Sequence, residues 1–115
     1  MRTSEELLAW QVGEIQLYAN NDYGIYKHFI EPYFQKLEKR MEKGNYKQDK
    51  AIVGMKTILD IAYAKYLQDF KSPESIITVG ARKIAAKEMI EDFEYELKVG
   101  NSYIETKPTQ SGWSK

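Results

Sequence analysis

Glu88, Glu91 and Asp92 fall at spacings that place three carboxylates on one helical face, inside the most acidic stretch of the chain, which continues through Glu94 and Glu96. Carboxylates so placed would ligate Mg²⁺ or Mn²⁺, or divide into an acid and a base if burial split their pKa values. Lys83, Lys87 and Lys98 lie within a helical turn of members of this cluster, so a solvated face laced with i,i+4 pairs accounts for it without further geometry. The same face would also suit a basic partner, or imitate a nucleic acid. His28, the only histidine, stands at i,i+3 spacing from Glu31. That pair offers two metal ligands, but the rest of the shell would have to come from carboxylates elsewhere, and a surface role needs nothing more. Seven glycines are scattered singly and no Gly-x-Ser-x-Gly elbow occurs, so neither a phosphate-cradling loop nor a hydrolytic triad is written in the chain. No cofactor is expected.

Binding chemistry has two other candidate carriers. Lys36, Lys39, Arg40 and Lys43 recur at helical spacing beside Tyr33 and Phe34, the pattern a nucleic-acid reader would need. The two aromatics keep the period of a buried stripe, which assigns them to the core. Nine tyrosines are many for this length, and rigid aromatic area of this kind is enriched at protein interfaces. Tyr18, Tyr23 and Tyr26, together with Glu88, Glu91 and Asp92, form the candidate protein-binding set.

The elements that must position these residues are helical. Thr3 followed by Glu6 is a capping box, and Leu8, Val12, Ile15 and Ala19 line one face of the helix it opens. Asn20, Asn21 and Asp22 break that helix and cap the next. Tyr26, Phe29, Ile30, Tyr33, Phe34, Leu37 and Met41 then carry a helical period across Pro32. Proline lacks an amide donor and crowds the carbonyl four residues back, so the helix either kinks there or divides, ending near Ile30 and restarting with Pro32 in its first turn; the second is favoured. Gly44 closes this region. Residues 48 to 70 place Ile52, Met55, Leu59, Ala62, Tyr66 and Phe70 on one face. Ser72, Pro73 and Glu74 resemble a helix start, and a turn or short helix there leads to a long helix entering near Val79, with Ala86, Met89, Ile90, Phe93 and Leu97 inward. The expected fold is all-α: a compact single-domain bundle of three long helices plus one or two short ones over residues 1 to 100, with 101 to 115 a flexible tail.

The chain has 115 residues, 17 basic against 17 acidic, and no cysteine, which excludes disulfides, thiolate nucleophiles and cysteine-based metal centres. Zero net charge leaves no global field to gather a polyanion, although residues 31 to 71 carry nine Lys or Arg against six acids. The longest uncharged runs, Ser75 to Ala81 among them, are seven residues, far short of the roughly 20 residues of a spanning helix. No membrane association and a cytoplasmic location are the expectations.

Tyr18-Ala-Asn-Asn-Asp22, Tyr26, Pro32, then Lys43-Gly-Asn-Tyr-Lys47 opening an Ala-rich helix through Tyr66, and Ala85-Ala-Lys-Glu-Met-Ile-Glu-Asp-Phe93, resemble short bacteriophage-encoded helical proteins over roughly residues 15 to 100. That resemblance brings no activity or site residue. It implies a phage accessory protein in a bacterial cytoplasm. The function expected is therefore a non-enzymatic protein, inhibitor or adaptor, that binds a host or defence protein. The alternatives are a nucleic-acid or nucleotide-binding module on Lys36, Lys39, Arg40 and Lys43, a homo-oligomeric virion or assembly subunit, and a metal-dependent enzyme on Glu88, Glu91, Asp92 and His28.

Overall fold

The computed structural model describes residues 3–71, 76–100 and 102, and every regular element among them is helical. In chain order these are α1 (Ser4–Asn21), α2 (Tyr23–Ile25), a π-helical turn (Tyr26–Ile30), α3 (Glu31–Glu42), α4 (Gln48–Asp69) and α5 (Val79–Lys98). They form an all-α, single-domain bundle in which α5 packs against both α4 and α1. The helix start at Ser72, Pro73 and Glu74, and the tail carrying Tyr103 and Trp113, lie outside the described residues.

Local chemistry sets the boundaries. Thr3 opens α1 by accepting the Glu6 amide at 3.1 Å, while the Glu6 carboxylate accepts the Thr3 amide at 2.8 Å. Asp22 ends α1 with extended backbone and caps the next turn by accepting the Ile25 amide at 2.9 Å; its other oxygen takes Lys65 Nζ of α4 at 2.6 Å. Together these hold the Asp22 carboxyl below the ordinary carboxylate range, the bond to Lys65 first. Past Lys43 the amides of Gly44 and Asn45 reach back to the carbonyls of Met41 and Arg40, and Gly44 takes the left-handed φ of 76° that this reversal requires.

Pro32 does not divide the helix. Ile30 and Glu31 keep right-handed helical angles, and the Glu31 amide reaches back five residues to Tyr26. The wider π turn relieves the crowding between the proline ring and the carbonyl four residues before it. It also inserts one residue into the helical register, which turns Phe29 outward, 38% exposed, from the buried stripe in which spacing had placed it.

Ile15, Ile30, Leu37, Met55, Leu59, Ile77, Ile90 and Phe93 are fully enclosed. The Phe34 ring stacks on Phe93, with centroids 4.7 Å apart and planes 8° from parallel, and so ties α3 to α5. Two positions correct the sequence pattern. Leu8 is 37% exposed, and Gln11 is buried in its stead because its Oε1 accepts both the amide and the hydroxyl of Thr78 at the start of α5. Phe70 is 48% exposed because the helix ends one residue before it.

Gly54 of α4 is where the Tyr33 side chain of α3 lies against that helix. The Tyr33 hydroxyl donates to the Ala51 carbonyl at 2.9 Å, and a Cβ on Gly54 would stand 2.0 Å from that hydroxyl. Gly54→Ala is therefore expected to destabilise the protein by about 1–3 kcal/mol despite alanine's higher helix propensity, as read by urea unfolding. Unchanged or increased stability would contradict this packing.

Candidate functional site

The α1–α5 seam gathers part of the candidate protein-binding set. Gln16 of α1 bridges it, donating through Nε2 to the Ala85 carbonyl at 3.3 Å and to Glu88 Oε1 at 3.0 Å. Above this bridge lies an open hollow of about 470 Å³ with an apolar floor of Leu8, Ala9, Val12 and Ile84, edged by Glu5 and Glu88. Leu8 and Ile84 are each 37% exposed. Gly13 lines the same hollow, and no described atom lies within 4 Å of where its Cβ would stand. One helical turn further along both helices, Tyr26 and Asp92 line a smaller hollow of about 140 Å³ together with Asn20 and Met89. Tyr26, Glu88 and Asp92 thus share one seam. Glu91 stands exposed on its flank, 4.0 Å from Lys87.

Tyr18 and Tyr23 are elsewhere. Tyr23 projects into solvent at the start of α2. On the opposite side of α1, Tyr18 donates to Asp69 at 2.7 Å and meets Tyr66 edge-on, and Tyr66 in turn donates to Glu14 at 2.9 Å. Tyr46 donates to Glu94, which also accepts Gln48 Nε2 at 2.8 Å. The tyrosine excess is therefore spent partly on struts between elements. Sequence spacing gives no signal for such long-range pairs, whose members lie 48 to 52 residues apart.

Lys36, Lys39, Arg40 and Lys43 do come together, around a hollow of about 410 Å³ on the outer face of α3. The aromatics beside them point inward, Phe34 to its stack and Tyr33 to α4. His28 is exposed, and Glu31 accepts Lys27 Nζ at 3.0 Å. Among the described residues no group of three or more His, Asp or Glu side chains is arranged to hold a metal, and no helix is long and apolar enough to cross a membrane. No protein family, characterised protein or solved structure matches the chain.

Burial, reinforced by the carboxylate partners, pushes the Tyr18 and Tyr46 hydroxyls above the usual phenol range and Tyr66 up to about 12. A group whose folded pKa exceeds its unfolded value near 10 contributes stability that is complete below that value and is lost as pH rises past it. Alkaline titration followed by tyrosinate absorbance and circular dichroism is expected to show these three tyrosines ionising only as helix signal falls. All nine titrating near pH 10 with the helices intact would contradict the struts.

Proposed function

We propose that this chain is a non-enzymatic binding protein that holds a partner protein along the α1–α5 seam. Gly13 carries the reading. A glycine inside a helix costs about 1 kcal/mol relative to alanine, and no described neighbour requires its missing side chain. Its place beside an exposed apolar floor fits the close approach of a partner's backbone. The floor of Leu8, Val12 and Ile84 edged by Glu5 and Glu88 suits an amphipathic helix with Lys or Arg flanking its apolar residues. The resemblance to short bacteriophage proteins supports a host or defence protein in a bacterial cytoplasm as the partner.

The test compares the tagged wild type with Ile84→Arg in capture from bacterial lysate, followed by native mass spectrometry. The wild type is expected to retain one host protein in stoichiometric amount, and Ile84→Arg to retain about tenfold less or worse at an unchanged melting temperature. Gly13→Ala is expected to raise the stability of the free chain by up to about 1 kcal/mol while weakening capture. Recovery of a homo-oligomer alone would overturn the reading in favour of an assembly subunit. Turnover by the pure protein, abolished by one polar substitution, would overturn it in favour of an enzyme.

A further inference from the structure

We infer that the outer face of α3 is a second, independent binding site, which takes the phosphate backbone of a nucleic-acid duplex. Lys36, Lys39, Arg40 and Lys43 follow one another at spacings of three, one and three and surround one hollow. Their span of seven residues is about 10 Å of helix axis, close to the rise of three base pairs.

Three observations bear on what these cations would meet. First, none of the four on α3 meets a carboxylate among the described residues, as is also true of Lys47, Lys50, Lys71, Lys83 and Lys98, so no ion pair neutralises the charge gathered around this hollow. Of the acids of α3, Glu31 holds Lys27 and Glu38 accepts the Ser102 hydroxyl at 2.5 Å. Second, the helix dipole accounts for cations in the last turn, where Lys39 and Arg40 lie, but Lys36 precedes that turn and gains little from it. Third, among the described residues the face carries three lysines and no aromatic ring. Protein interfaces are depleted in lysine and enriched in aromatics at their centres, so this composition fits phosphates better than a protein surface.

The fate of the neighbouring aromatics narrows the ligand. Single strands are held by bases stacking on exposed rings. Here Phe34 is buried against Phe93 and Tyr33 is tied to Ala51, so among the described residues neither ring beside the cations offers a platform. What is left is charge at fixed spacing, which reads a duplex backbone without regard to sequence.

The test is fluorescence anisotropy of a labelled, mixed-sequence DNA duplex titrated with the full chain at roughly 50 and 200 mM salt. Four phosphate contacts give an expected slope of log K against log salt of about −3.6, a loss of about 150-fold over that range. Lys36→Ala, which leaves the last helical turn intact, is expected to reduce the steepness of the slope by about 1 at an unchanged melting temperature. Replacing all four by Ala should abolish binding, and Ile84→Arg should leave it unaltered, which separates this site from the α1–α5 seam. Absence of binding at the lower salt, or a Lys36→Ala variant that binds like the wild type, would overturn the inference. Tighter binding of a single strand would overturn the duplex assignment, and equal binding of poly-glutamate would assign the face to an acidic protein.

Discussion

Ala81, Ala85 and Ala86 are fully buried, and their small side chains let α5 lie close to its two large neighbours. The rest of the molecule depends on that approach. It brings the Ala85 carbonyl within reach of Gln16, it sets Thr78 against Gln11, and it leaves Phe93 where Phe34 can stack and hold α3 in place. Closely packed helices share a shallow seam, and a seam floored by Leu8, Val12 and Ile84 keeps apolar surface in contact with water. The packing that makes the bundle stable therefore also leaves apolar surface open along this seam.

Polar contacts fix the remaining degrees of freedom. Tyr18 and Tyr66 join α1 to α4 through carboxylates, and Tyr46 joins the α3–α4 connection to α5. At the entry to α5, Arg82 donates to Asp60 at 2.8 Å and to the Ile77 carbonyl at 2.6 Å while lying over the Tyr63 ring. The Tyr63 hydroxyl accepts the Ile77 amide, so the backbone just before α5 is held from both sides. Exposed ion pairs each contribute little, but these are half-buried and share partners, so they set geometry more than they add stability.

Much of this was legible in the chain. The Thr3–Glu6 box, the Gly44 stop, the start of α5 near Val79 and the inward stripe of α5 follow from spacing and capping chemistry, which are local. Three features were not. The π turn answers a steric demand of Pro32 that a 3.6-residue period does not encode, and Phe29 turned outward with it. Gln11 reads as a surface residue until Thr78 supplies its donors from 67 positions away. The tyrosines read as a recognition surface because their carboxylate partners lie 48 to 52 positions away. For the sites, helical spacing brought Lys36, Lys39, Arg40 and Lys43 to one face. By contrast, only Tyr26, Glu88 and Asp92 of the protein-binding set share a seam, since that grouping depends on how separate helices dock.

The central claim is that the α1–α5 seam is the working surface. A photo-crosslinking residue at Ile84, on the seam, and another at Val53, 67% exposed on α4, put it to the most direct test in bacterial lysate. The account predicts a single dominant crosslinked protein from position 84 and none from position 53. Equal products from both positions, or a product from position 53 alone, would contradict it.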